Sequence, residues 1–386
     1  MWTDHAFLQL GDCREALATL PENCIDAVVT DPPYHLTQVS RNGSPRTNDP
    51  ETPFGRHHIG ERGFMGRTWD GGDVAFRPET WAAVLRVAKP GAHLLAFGGT
   101  RTFHRLACAI EDAGWDFRDT IMWCHAQGFP KSKNLDGDWE GWGTALKPAV
   151  ELIAVARKPF DATVAENVQQ WGTGAINIDG CRVGTSKEVP SSMPKNRDGH
   201  GRFGKFGVHT GGEGQDPNVG RWPANLAHDG SDEVLATFPE SKGQQGDLKA
   251  TGRPRPSSGR FGAMAPPLPH AARGDTGSAA RFFYCAKASK ADRGEGNTHP
   301  TVKPTALMRW LVRLVTQPGG MILDPFMGSG STGVAAALEK LDFMGIERED
   351  EAFRISEKRI ERAFSDGQQN RSEAHSESEA APPGSG

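Results

Sequence analysis

The chain has 386 residues, 37% of them hydrophobic, with 47 glycines, 27 prolines and a formal net charge of −4. This length admits one large α/β domain with an insertion, or two domains, and the glycines and prolines point to long loops. The charge balance does not announce a nucleic-acid partner, the six cysteines contain no Cys-x-x-Cys pair and so argue against a zinc site or a disulfide framework, and no run approaches the roughly 18 apolar residues of a membrane helix.

The polar opening Met1-Trp2-Thr3-Asp4-His5 predicts no signal peptide, and the thiols read as reduced and cytosolic. Residues 7–10 read as a strand ending at Gly11-Asp12, and residues 14–20 as a short helix stopped by Pro21. Residues 25–30, rich in β-branched side chains, read as a buried strand of a parallel sheet. That strand runs into Asp31-Pro32-Pro33-Tyr34. The prolines lack an N–H and fix φ near −65°, so the ladder stops and the chain turns rigidly. An acid, two carbonyls and an aromatic ring are thereby held at a strand's C-terminal end, where open α/β sheets bind ligands.

These groups suit the chemistry of a nucleobase amino group, whose lone pair is delocalised into the ring. Two acceptors, one per N–H, would pull the nitrogen toward tetrahedral geometry; Asp31 supplies one and the Pro32 carbonyl the other, while Tyr34 stacks on a base taken out of the duplex. A strand followed by a plain Pro-Pro turn is the competing reading.

Residues 37–72 form a long polar loop, either a cover for the site or filler. A helix over 79–88, a strand over 93–97, a helix over 102–113 and strands over 119–123 and 151–156 follow, which argues for a doubly wound sheet. The loop 128–134 is basic with one aromatic residue. From residue 159 to 298 the chain is rich in Gly, Pro and Ser, with islands of order at 171–178 and 220–226, a short helix at 232–238 and a strand at 281–285. Residues 181–298 carry 17 Lys and Arg against 12 Asp and Glu, a mild basic bias.

A second chemical stretch comes late. A helix over 305–315 precedes a buried strand at 321–323, the loop Asp324-Pro325-Phe326-Met327-Gly328-Ser329-Gly330-Ser331-Thr332-Gly333, a helix over 331–340 and a strand at 343–346 ending at Glu347. Strand, glycine loop, helix, strand and acid in this order favour a ligand site: glycines admit close approach, the helix N-terminus offers N–H groups, and Glu347 suits a ribose diol. No Gly-Lys-Ser/Thr follows, so a P-loop is ruled out. After residue 360 the chain turns polar and reads as a disordered tail.

Together these residues resemble the amino-type DNA methyltransferases of the β order, close to phage and prophage members. The likeness covers about 1–158 and 281–360 and rests on Gly11-Asp12-Cys13, the Asp31 tetrapeptide, His299-Pro300-Thr301-Val302-Lys303-Pro304 and the Asp324 loop. It implies an α/β, doubly wound, mostly parallel sheet of the S-adenosylmethionine-dependent kind, divided into a catalytic part (1–158), an inserted target-recognition region (159–298), a cofactor-binding part (299–360) and a tail (361–386). It implies Asp31, Pro32, Pro33 and Tyr34 as catalytic residues and no metal. S-adenosylmethionine would be lined by Phe326, Gly328 and Gly330. Asp324 would lie at its methionine end, Thr301 and Lys303 near its carboxylate, Glu347 on its ribose and Asp12 on its adenine amino group. The implied partner is double-stranded DNA, in the cytoplasm of a bacterial or phage-infected cell, with no membrane; a homodimer and a restriction partner stay open. Members with Asp at the first motif position are mostly adenine-N6 enzymes, so Asp31 leans toward adenine over cytosine N4. A nicotinamide-dependent oxidoreductase, a protein or RNA amino methyltransferase and a catalytically dead DNA-binding module remain as other readings.

Overall fold

A computed structural model of the chain describes residues 5–34, 73–128, 132–184, 220–242, 276–287, 289–294, 297 and 302–379. In chain order the main elements are β1 (Ala6–Leu10), α1 (Cys13–Ala18), β2 (Ile25–Thr30), α2 (Pro78–Val87), β3 (Ala88–Gly98), α3 (Phe103–Asp112), β4 (Asp116–Cys124) and β5 (Val150–Arg157). Then come α4 (Val164–Trp171), β6 (Leu226–His228), α5 (Asp232–Leu235), β7 (Glu240–Ser241), β8 (Gly277–Ser278) and β9 (Tyr284–Cys285). The last are α6 (Thr305–Val315), β10 (Met321–Asp324), α7 (Ser331–Leu338), β11 (Asp342–Glu347) and α8 (Asp350–Glu379).

Nine strands form one sheet in the order β1-β11-β10-β2-β3-β5-β4-β6-β9, and β7 pairs with β8 apart from it. All six residues of β2 are buried, as an apolar strand covered on both faces requires. One face is covered by α6, α7 and α8, where Leu307, Leu311, Ala335 and Ile360 meet Phe343 of β11. The other is covered by α1, α2 and α3, through Leu17, Trp81, Val84, Leu106 and Ile110. The one acid within β2, Asp26, accepts from Lys89 Nζ at 2.6 Å and from the Met321 N–H at 2.9 Å, so its buried charge is paired and ties β2 to β10 at their N-terminal ends.

The topology places the site. From β10 the chain passes through α7 to β11 on one side; from β2 it passes through α2 to β3 on the other. β10 and β2 are themselves neighbours, with Ile322 opposite Ala27 and Leu323 opposite Val28. The strand order therefore reverses between them, and a crevice opens beyond their carboxyl ends.

β5 is antiparallel to both β3 and β4, because no α-helix separates β4 from β5 among the described residues. Three expectations need correction. α4 occupies 164–171, where no helix was expected; its signal was the capping box in which Thr163 and Glu166 satisfy each other's backbone N–H. The strand expected over 281–285 is a 3₁₀ turn (Ala279–Phe282) followed by only two strand residues. In its described part the region 159–298 adds β6 and β9 to the main sheet. Finally, α8 continues past Ile360 to Glu379, where a disordered tail was expected. Ala352, Ser356, Ile360 and Ala363 are buried at helical spacing, and the Phe364 ring stacks on His5 at 6.1 Å.

Helix α8 packs on the turn before α7. Gly330 has φ +81°, and a Cβ there would lie 2.9 Å from Ser356 Cβ and 3.0 Å from Ile360 Cδ1. Gly330→Ala thus meets both left-handed backbone strain and overpacking, and is expected to lose about 2–4 kcal/mol of stability. Urea unfolding checks this; a midpoint equal to that of the unaltered chain would refute it.

Candidate active site

The carboxyl ends of four adjacent parallel strands deliver Asp12, Glu347, the Asp324 loop and the Asp31 tetrapeptide to one side of the sheet. They line a single crevice of about 1300 Å³, which contains Asp31, Pro32, Pro33 and Tyr34 together with Phe326 and Gly328.

At the tetrapeptide end, Lys303 from the segment before α6 reaches into the early part of the chain. Its Nζ donates to Asp31 Oδ2 at 2.6 Å and lies 3.2 Å from Glu151 Oε2. Burial opposes its charge, but the two carboxylates outweigh that and hold the ammonium well above the usual lysine range. The ammonium also sits 4.9 Å from the Phe97 ring centre and 5.4 Å from that of Tyr34. Tyr34 is pinned: its hydroxyl donates to Glu151 Oε2 at 3.1 Å and its carbonyl accepts from Thr102 Oγ1 at 3.0 Å. Its ring lies against Gly99, where a Cβ would come within 3.0 Å of Tyr34 Cδ2. Burial, then the charges of Asp31 and Glu151, keep the phenol protonated. Asp31 is left with one oxygen committed and one not: Oδ1 is buried and has no partner among the described residues. A buried acceptor without a donor marks a place for an incoming N–H or O–H.

At the glycine end, Asp324 is buried between hydroxyls. Thr30 Oγ1 donates to Oδ1 and Thr332 Oγ1 to Oδ2, each at 2.6 Å, and the Phe326 N–H donates to Oδ1 at 3.1 Å. Asp324 thus fastens β2, β10 and the start of α7 together. Burial pushes its carboxyl up to about 6, against the pull of those three donors. Glu347 accepts from the Gly328 N–H at 2.7 Å through Oε2 and from the Glu349 N–H at 2.8 Å through Oε1. Each oxygen retains further acceptor capacity, so the carboxylate is aimed yet able to take a diol. Asp12 caps α1, accepting from the Arg14 and Glu15 N–H groups through Oδ1 alone. Ser331 Oγ, at the start of α7, is buried without a partner among the described residues. Arg359 of α8 donates to the Ser329 carbonyl and, at 2.7 Å, to the Asp292 carbonyl, clamping the loop from behind.

The structure brings together Asp12, Asp31, Pro32, Pro33, Tyr34, Lys303, Asp324, Phe326, Gly328 and Glu347 in the crevice wall. Lys303 lines the crevice beside Asp31. Gly330 is absent from the described lining; its glycine serves the packing of α8. Thr301, most of the 128–134 loop's aromatic-basic centre (129–131) and the loop 37–72 lie outside the described residues. Sequence reasoning missed Glu151, Thr102, Gly99 and Phe97. The one available signal was a lone acid at the head of an otherwise apolar strand, at Glu151.

A family model for DNA methylases of the N6/N4 type matches residues 25–358. The chain is 46% identical over 63 residues to type II methyltransferase M2.DpnII of Streptococcus pneumoniae, a stretch covering 16% of this chain and 24% of that protein. It is 42% identical over 67 residues to type II methyltransferase M.BglI of Bacillus subtilis, covering 17% and 19% respectively. The matched stretches thus span a quarter or less of these relatives. Among solved structures, the cytosine-N4-specific PvuII DNA methyltransferase aligns over 95% of this chain and 93% of its own, at 15% identity and a TM-score of 0.44.

The raised carboxyl of Asp324 has a measurable consequence. Its pKa in the fold, about 6, exceeds the ordinary value of 3.8, so the folded state prefers the protonated acid. Stability is lost as pH rises from about 4 through 6 and stays lost above. Asp324→Asn keeps the hydrogen-bonding shape without the charge. It is expected to be more stable than the unaltered chain by up to about 2 kcal/mol at pH 8, with the gain vanishing below about pH 4. Denaturant unfolding at both pH values tests this; a pH-independent difference would contradict it.

Proposed function

The chain belongs to the N6/N4 DNA methylase family, and from that premise we propose that it transfers a methyl group from S-adenosylmethionine to an exocyclic amino group in double-stranded DNA, that of adenine N6. The observation that carries this reading is Asp31: it lines the same crevice as the glycine loop, with one oxygen fixed by Lys303 and the other buried and unpartnered among the described residues.

The chemistry follows from that acid. The base leaves the stack and lies against the Tyr34 ring, which Glu151, Thr102 and Gly99 hold in place. Asp31 Oδ1 accepts one amino hydrogen and the Pro32 carbonyl the other. The nitrogen lone pair, drawn out of conjugation, becomes the nucleophile. As the new N–C bond forms, the electron pair of the broken S–C bond stays on sulfur, and Asp31 Oδ1 is positioned to take the proton the nitrogen gives up. Lys303 holds the other oxygen, Oδ2, in place at 2.6 Å.

The residues at the glycine end fit the methyl donor: an apolar ring at Phe326, a close-approach glycine at Gly328, an aimed carboxylate at Glu347 and the one-sided Asp12. Glu347 takes the ribose hydroxyls, Asp12 the adenine amino group, and Asp324 shapes the loop at the methionine end. When bound, the donor supplies an electrophilic methyl carbon. The adenine preference rests on Asp at the first position of the tetrapeptide. Residues 159–298 are read as the target-recognition region, where Arg182 lies 5.6 Å over the exposed Trp222 ring.

Asp31→Ala is expected to cut methyl incorporation into DNA by at least about 100-fold while S-adenosylmethionine binding changes by less than about threefold. Near-normal turnover would overturn the role of Asp31. Nucleoside analysis of DNA from expressing cells should yield N6-methyladenine; N4-methylcytosine in its place would move the target to cytosine with the site unchanged. Glu151→Gln, which removes the charge facing Lys303 and keeps an acceptor for Tyr34, is expected to lower kcat about tenfold and leave KM for the methyl donor unaltered. A change confined to KM would show that Glu151 serves binding alone.

A further inference from the structure

One wall of the crevice beside the tetrapeptide is the continuous run Thr144–Glu151, the outgoing side of an arch that joins β4 to β5. The arch is braced at its base. Ser132 Oγ accepts from the Thr144 N–H at 2.9 Å and the Ala145 N–H at 3.3 Å, and Thr144 Oγ1 accepts from the Lys133 N–H at 2.9 Å. Asn134 and Gly143 form a β-bridge, and the Leu135 N–H donates to the Trp142 carbonyl at 2.9 Å. Gly143 is required there, since a Cβ would come within 2.6 Å of Ser132 Oγ. At the tip, Trp139 and Trp142 pack edge to face, 5.5 Å between ring centres.

Immediately past this brace stands Leu146, 92% exposed on the crevice rim and followed by Lys147. An isolated exposed leucine needs no explanation. This one is held out by a pinned backbone at the mouth of a crevice. It is also five residues before Glu151, the acid that touches Tyr34, so chain length alone keeps it within about 18 Å of the base site. Extruding a base leaves a gap in the stack, and proteins that open duplexes fill such gaps with apolar wedges, leucine among them.

We propose that Leu146 is that wedge: it enters the duplex from the crevice rim and occupies the space vacated by the flipped base, with Lys147 against the adjoining phosphate. This rests on the function proposed above and adds a DNA-contacting residue to it. The charges agree with the direction of approach. The acids Asp136, Asp138 and Glu140 lie at the tip of the arch, away from Leu146 in the chain, and would repel phosphates there. Leu146 thus acts as a positioning residue for the base, without touching the reacting atoms.

The test uses the full chain and a duplex carrying the target base. Leu146→Ala is expected to lower kcat/KM on the matched duplex at least about tenfold, with S-adenosylmethionine binding unchanged. On the same duplex with the target base opposite an abasic site, where extrusion needs no wedge, the variant should come within about threefold of the unaltered chain. With 2-aminopurine at the target, the fluorescence rise on binding should be lost only in the variant. Equal rates on the matched duplex, or the same deficit on both duplexes, would overturn the wedge. So would a shift in sedimentation showing that Leu146 joins two copies of the chain. If the unaltered chain methylates no DNA at all, the enzymatic reading fails first and the wedge falls with it; if it methylates DNA and Leu146→Ala does so equally well, only the wedge fails.

Discussion

Two carboxylates, Asp31 and Glu151, can stand at one end of this sheet because a buried ammonium stands between them. Taking three charges out of water costs several kcal/mol per ion unless each is met by a partner. Lys303 meets both acids and shares Glu151 with the Tyr34 hydroxyl. The arrangement joins three distant parts of the chain: the end of β2, the head of β5 and the segment entering α6. It also distinguishes the two oxygens of Asp31, holding one and leaving the other without a partner among the described residues. Removal of the ammonium would leave two like charges facing one another in an apolar pocket, with the Tyr34 ring beside them.

A comparable economy governs the other end of the crevice. Asp324 does not face outward as a ligand group would; two threonine hydroxyls and a backbone N–H enclose it. It joins β2 to β10 and α7, the elements on either side of the point where the strand order reverses. Glu347, by contrast, takes a single backbone donor on each oxygen, and so orders the Gly328 turn while remaining able to accept. Two acids beside the same glycine turn therefore differ in what they can still accept because they differ in what surrounds them.

Much of this was legible in the chain. β2 and β10 stood out because largely apolar runs end just before proline, α6 because its leucine stripe ends before Pro318-Gly319, and the tetrapeptide and glycine loop announced themselves because proline and glycine act on the backbone locally. What could not be read depends on distant partners. β5 looks like any apolar strand, and only its connection through an arch without a helix makes it antiparallel. Glu151 acquires meaning from Lys303 and Tyr34, which the sequence places far away on either side. Gly330 reads as a ligand glycine from the loop pattern, and only the fold adds that a serine and an isoleucine on α8 also leave no room for a side chain there. The polar composition after residue 360 hid a stripe of small and apolar side chains that continues the helix.

Helix α8 sets a limit on how much of the chain's end is dispensable. Ser356 and Ile360 press on Gly330, Arg359 grips the Ser329 carbonyl, and Ala363 and Phe364 complete the seam beside His5. The glycine turn is therefore backed by residues that follow it in the chain. In chain order both the Asp31 and Gly328 stretches precede the helix that backs the turn. Shortening the chain back to Phe364 would spare this seam; cutting into the helix before it would unfasten the turn from behind, however intact the crevice residues themselves.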